Sequence, residues 1–327
     1  MMPARSISSV LLFIVLSVAY LWLYGPTWLD MERVWSSSAT YNHCYLIIPI
    51  SLYFFFRAKQ QPVATPLSRH WLWLPVLSIL LLQLLWLAGF AADIALFMHL
   101  AAVITLQAII WLLLGNDNSR KHMFAIAYLL FLVPFGDELS PMLQNITADL
   151  TVFMLQLVNI PVYREGLYLA TPVGLFEVAE ACSGLRFLIA SLAISVLFAY
   201  LHFNKLYKQI SFVAFMALLS ILANGVRAFM LVYIGEKTDM RLGFGADHYV
   251  YGWLFFGIVL LAGFWLGSRF SDPALPLTQS IRRSFRLLRH AVMLTAAMAS
   301  LVVTLSYRLS LDISHPPAVA VTLPLPV

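Results

Sequence analysis

Gln209-Ile-Ser-Phe-Val-Ala-Phe-Met-Ala-Leu-Leu-Ser-Ile-Leu-Ala-Asn-Gly-Val-Arg-Ala-Phe-Met-Leu-Val-Tyr-Ile-Gly235 decides the fold. A helix needs about 20 mostly apolar residues to cross a bilayer, and this run exceeds that length. It is not a featureless anchor, because Asn224 and Arg227 interrupt it. A charged side chain inside a spanning helix costs about 2.5–3.5 kcal/mol on insertion scales, so Arg227 marks a functional position unless it only reaches the headgroups. Arg227 lies about 12 Å from the outer end of the run at a rise of 1.5 Å per residue, close enough to snorkel to the outer interface. Asn224, three residues earlier, shares its face and is placed to bond Arg227 or a substrate backbone.

Outward from this run, the chain is 61% hydrophobic and 11% charged over 327 residues, against roughly 45–50% apolar and about 25% charged in soluble domains. A water-soluble fold is excluded. Apolar runs at 8–24, 43–56, 71–90, 92–115, 122–135, 183–203, 209–235, 249–270 and 290–307 predict an all-α polytopic membrane protein of about eight or nine transmembrane helices. The first run has no small-residue cleavage site after it and reads as a retained helix rather than a signal peptide. The net charge of +5 comes from cations spread among loops, which fits a lipid surface and not nucleic acid. Most of them, including Arg57, Lys59, Arg120, Lys121, Lys205, Lys208 and Arg282 to Arg289, fall on the side of the N-terminus. The positive-inside rule places that side in the cytoplasm.

The longest outer segment, 136–183, is expected to hold an interfacial amphipathic helix over 142–160, ended by Pro161, and a small extracytoplasmic β-hairpin over 162–179. Residues 1–308 read as one transmembrane catalytic domain and 309–327 as a short outer tail. Directly after the predicted hairpin comes Glu180-Ala-Cys-Ser-Gly-Leu-Arg-Phe-Leu188. Cys182 is predicted at the mouth of a helix, whose unpaired N–H groups favour an anion and thus the nucleophilic thiolate. Arg186 stands one turn deeper on the same predicted face, where its cation stabilises the thiolate or anchors a carboxylate. Glu180 opposes the thiolate unless a cation engages it.

A third feature, Gly245-Ala-Asp-His-Tyr-Val-Tyr-Gly252, puts His248 at the outer mouth of the eighth span, with Asp247 beside it to orient the ring. Histidine suits proton transfer near neutrality, which a thiol attacking a carbonyl requires. Alone, each residue has a bland reading: a small side chain at a helix end, a snorkelling cation, an interfacial imidazole. Together, three spans deliver a thiol, a cation and an imidazole to one side of the membrane.

His43-Cys44 at the outer end of the second span is the rival pair, and Cys44 is also a candidate disulfide partner for Cys182. A zinc site from His43, His248 and carboxylates lacks ligand spacing such as H-E-x-x-H, so no metal and no cofactor is expected. His99 reads as a packed polar residue, and Asn145-Ile-Thr147 as a chance match to a glycosylation pattern.

The runs E-A-C-S-G-L-R-F-L at 180–188, N-G-V-R-A-F at 224–229 and G-A-D-H-Y-V-Y-G-W-L-F-F-G at 245–257 closely resemble the motifs of the exosortase/archaeosortase family, most of all its exosortase A branch. The resemblance implies a multi-pass cysteine protease or transpeptidase of the inner membrane. Its partners are exported proteins bearing a C-terminal sorting signal: a Pro-Glu-Pro motif, a transmembrane helix and a basic tail. It implies Cys182 as nucleophile, with Arg227 and His248 essential, a thioester intermediate, a site facing the periplasm and an acceptor still to be identified. Two departures stand out. His43 is followed by Cys44 where the family has His-Gly, and the chain stops at Val327 where some relatives continue into an outer domain. The alternatives are a transporter or export component for polysaccharide, a lipid-linked phosphatase using Arg and His, and a scaffold that binds sorting signals uncut. Clustering of the polar groups in the outer half of the membrane disfavours transport.

Overall fold

The computed structural model describes residues 4–57, 73–241, 247–273 and 304. The chain is mostly helical: α1 (Ala4–Ser37), α2 (Cys44–Arg57), α3 (Trp73–Ala92), α4 (Ala95–Leu114), α5 (Asn116–Lys121), α6 (Met123–Tyr128), α7 (Ser140–Leu157), α8 (Leu185–His202), α9 (Leu206–Lys237) and α10 (Asp247–Ser268). Three short strands, β1 (Tyr163–Glu165), β2 (Tyr168–Thr171) and β3 (Gly174–Glu177), lie between α7 and α8. Among the described residues four helices are long and apolar enough to cross a membrane: α3, α4, the Glu180–His202 segment and α9. A fifth span is formed if Met123–Leu132 and Asp137–Leu157, bent by 64°, count as one. The chain is therefore a multi-pass membrane protein. The predicted run at 290–307 lies outside the described residues, apart from Thr304.

Contacts divide the chain into two compact units, one of Met1–Val34, Cys44–Pro134 and Leu277–Val327, the other of Trp35–His43 and Phe135–Pro276. In the first, α1 is tied to α3 and α4 by polar side-chain tips among apolar surroundings. Tyr20 Oη donates to Ala102 O at 2.8 Å, Trp86 Nε1 donates to Thr27 Oγ1 at 3.1 Å, and Tyr24 and Thr105 share their hydroxyls at 3.2 Å. His99, which the sequence presents only as a packed polar residue, meets Asp30 at 2.8 Å. Such bonds hold one helix register where apolar packing alone would allow sliding.

In the second unit α9 is the central element, with α7, α8 and α10 all packed against it. The buried stripe of α7 is mixed: Leu143, Gln144, Thr147, Ala148, Thr151 and Leu155. The sheet lies over α7 and α9, with Leu169, Phe176 and Val178 packed among Ala148, Leu155 and Val232. Its strand order is β1-β2-β3, all antiparallel. Where the sequence reads as one hairpin with its turn at Thr171-Pro-Val-Gly174, the chain turns twice. Gly166, at φ 60°, makes a first reversal inside the run read as a single strand. Away from this core α10 exposes Trp253, Leu254, Ile258, Leu261 and Trp265, a large apolar face of the kind that lipid covers.

Candidate active site

Cys182 closes a single 3-10 turn, Glu180–Cys182, between β3 and α8. Cys182 N donates to Ala179 O at 2.8 Å and Ser183 N to Glu180 O at 3.0 Å. Gly184 then adopts φ 85°, in the left-handed region, and α8 begins at Leu185. Cys182 lies at the mouth of α8 as the sequence suggests, but the expectation that Arg186 stands one turn along the same helical face does not hold. Ser183 and the left-handed Gly184 stand between thiol and helix, so helical i,i+4 spacing does not relate the two side chains. Arg186 is half-buried in the first turn of α8. Glu180 is exposed at the start of the 3-10 turn.

The cysteine turn is fastened to two other helices through one carboxamide. Asn224 of α9 is 3% exposed. Its Nδ2 donates to Cys182 O at 2.8 Å and to Thr147 Oγ1 of α7 at 2.9 Å. Thr147 Oγ1 in turn donates to Ser183 O at 3.5 Å. The space for this carboxamide exists because residue 184 lacks a side chain: a Cβ there would lie 2.5 Å from Asn224 Cγ. Asn224 thus bonds the cysteine backbone rather than Arg227. Leaving a buried carbonyl without its donor costs about 1–3 kcal/mol, enough to displace the turn.

The cysteine side chain is half-buried and stands on the wall of a cavity of about 300 Å³. Leu169 and Phe176 of the sheet, Thr151 of α7, and Ala228 and Val232 of α9 also line it. The cavity is apolar, with Glu177 on its wall and exposed to solvent. Cys44, by contrast, is fully buried, and its Sγ donates to Phe131 O at 3.3 Å. Neither cysteine is in a disulfide in this structure.

Arg227 lies one residue from the cavity-lining Ala228. Its guanidinium sits 5.4 Å from the centroid of the Phe187 ring, a cation–π contact of the kind that suits the planar, weakly hydrated arginine head. Phe187 stacks on Phe256 of α10 with centroids 4.2 Å apart. The guanidinium also fills the notch at Gly252, where a Cβ would come within 2.7 Å of Nε. His248 falls in the first turn of α10, four residues before Gly252. Asp247 is the first residue of that helix. The fold thereby brings Arg227 against α10 at Gly252, and Cys182 to the α9 face that carries Asn224.

His43 stands apart, in the turn before α2, with Nδ1 donating to Thr40 O at 3.0 Å. Nearby Tyr41 Oη donates to Asp137 Oδ1 at 2.7 Å, holding this turn against the start of α7's segment. Three contributors had no separate signal in the sequence. Thr147 sits within the N-I-T triplet, Phe187 within an apolar run, and Gly252 at the end of a motif read for its histidine.

No curated protein and no solved structure matches the chain. Residues 35–265, which contain α7 to α9, most of α10, the three strands and all three motifs, match the family described as transmembrane exosortase (Exosortase_EpsH). That match covers more than two thirds of the chain, and the protein belongs to the transmembrane exosortase family.

Proposed function

We propose that this exosortase is a thiol-dependent protease or transpeptidase, closest to the exosortase A type, that cleaves C-terminal sorting signals of exported proteins at the periplasmic face of the inner membrane. The observation that carries the reading is the half-buried Cys182 thiol on an open cavity wall, with its own backbone held by Asn224. Cys182 Sγ, as thiolate, attacks the scissile carbonyl carbon. The carbonyl oxygen becomes an oxyanion, which Arg227 stabilises, with Arg186 as the alternate cation. His248 takes the thiol proton and returns it to the departing amine as the C–N bond breaks. The acyl group remains on sulfur as a thioester, which water or an amine or hydroxyl acceptor then resolves. Losing one oxyanion donor in such chemistry costs roughly 2.7–4 kcal/mol.

The test is co-expression with a tagged reporter ending in Pro-Glu-Pro, an apolar helix and a basic tail. Wild type and Cys44→Ala are expected to release the tag, while Cys182→Ala and Cys182→Ser leave the reporter intact at equal membrane abundance. Release by Cys182→Ala would remove the thiol mechanism and redirect attention to Arg and His chemistry on phosphate.

A further inference from the structure

The β-sheet ends in a free edge beside the thiol, and the hydrogen-bond register says which groups that edge presents. Val178 N donates to Leu167 O at 2.9 Å. In an antiparallel ladder, bonded and non-bonded pairs alternate. With Leu169 opposite Phe176 and Ala170 opposite Leu175, the bonded pairs toward β2 are 167/178, 169/176 and 171/174. The N–H and C=O groups of Leu175 and Glu177 therefore point the other way, off the sheet. β1 occupies the far side of β2, so among the described residues no strand covers them. Neither residue makes a backbone hydrogen bond outside the sheet among the described residues.

Leu175, Phe176, Glu177 and Cys182 all line the same cavity, opposite Ala228 and Val232. At about 300 Å³ it is at the low end of ligand-site volumes, roughly 300–1,000 Å³. That is room for one or two side chains rather than a whole ligand.

We propose that the free edge of β3 is the backbone-reading subsite of the enzyme. It takes an extended peptide segment as an added strand, with an aliphatic side chain next to the scissile bond seated in the cavity. This rests on Cys182 being the nucleophile. A peptide suits the edge because its amides satisfy two unpaired N–H and two unpaired C=O groups, spaced as a strand presents them. A lipid chain fills the apolar cavity equally well but leaves those four polar groups unpaired, at a cost. Specificity then divides: the edge reads only extended backbone, and the cavity reads side-chain size.

The experiment uses the full chain and the tagged reporter, with the residues flanking its Pro-Glu-Pro motif varied from Ala through Leu to Trp. Leu175→Pro and Glu177→Pro each delete one outward N–H without removing a bond to β2. Each is expected to lower kcat/KM about tenfold, the equivalent of one hydrogen bond at the upper end of its usual worth. Ala228→Phe, which narrows the cavity, is expected to shift preference from Leu toward Ala. Protection of the buried Cys44 from a maleimide reports whether each variant is folded, and Ala228→Phe decides the matter if a proline variant is not. Wild-type rates in both folded proline variants, or an unchanged size preference in Ala228→Phe, overturn the proposal. So does release of a co-purifying lipid by Ala228→Phe, since that makes the cavity a lipid site. Processing by Cys182→Ala would instead overturn the thiol reading on which the proposal rests.

Discussion

Asn224 Nδ2 and the backbone carbonyl of Cys182 are 2.8 Å apart, a bond that joins α9 to the peptide of the cysteine rather than to its sulfur. It holds the thiol's position and contributes nothing to its chemistry directly. Asn224→Ala and Asn224→Asp, neither of which can donate this bond, are expected to cut reporter processing tenfold or more, in line with the roughly 1–3 kcal/mol cost of an orphaned buried carbonyl. The effect should fall on kcat more than on KM, because the substrate's own contacts remain. Steady-state kinetics in proteoliposomes measure the split. Gly184→Ala should reproduce the loss, since its Cβ would meet the same carboxamide at 2.5 Å in a left-handed backbone.

Arg227→Lys is expected to be nearly as damaging as Arg227→Ala, with a loss of about 100-fold or more in kcat if the guanidinium is the oxyanion donor. A lysine carries the charge but cannot lie flat over Phe187 or fill the notch at Gly252. Gly252→Ala tests the notch itself. Adding a carbon 2.7 Å from Nε must displace the arginine, so the variant should lose activity although residue 252 touches no substrate. Rates for the three variants, normalised to membrane abundance, check the prediction.

The two cysteines should differ sharply toward a maleimide in intact membranes. Cys182 is half-buried on a cavity wall and Cys44 is sealed in the core. Wild type is expected to take one label and Cys182→Ala none, read as a mass shift on a denaturing gel. Unfolding in detergent should expose a second thiol.

Outside the membrane-spanning segments, Asp272 pairs with Lys208 and accepts Asn204 N at 2.9 Å. The side-chain bond to Lys208 and this backbone bond hold its carboxyl below the usual aspartate value. A folded pKa below the unfolded one means the stabilisation is complete above about pH 4 and is lost as pH falls through the folded value. Asp272→Asn should therefore lower the thermal midpoint at pH 7, with the difference from wild type shrinking only under strongly acidic conditions. Equal midpoints at pH 7 would sink the claim.

The helices were legible because hydropathy is a direct consequence of where a side chain can sit, and a long run such as 209–235 leaves no other reading. Arg227 stood out for the opposite reason, as a cation that an apolar run tolerates only with a partner, and Phe187 and the notch at Gly252 receive it. The sheet was harder. Strands of three and four residues offer too little alternation to separate one hairpin from a meander. Arg186 was misplaced relative to Cys182 because a single left-handed glycine, invisible to helical periodicity, breaks the face on which the two were set. The partners of Asn224 and Arg227 depend on which helices meet, and no local pattern reports that.

The fastening of the cysteine turn also sets an order of construction. Thr147, Cys182 and Asn224 belong to α7, to the turn before α8 and to α9, and synthesis proceeds from the N-terminus at about 5–20 residues per second. The thiol emerges first and its support follows forty-two residues later, so for a few seconds of each biosynthesis the cysteine turn exists without its frame. Insertion of α9 completes the turn's geometry, so the position of the thiol is fixed by a helix made after it.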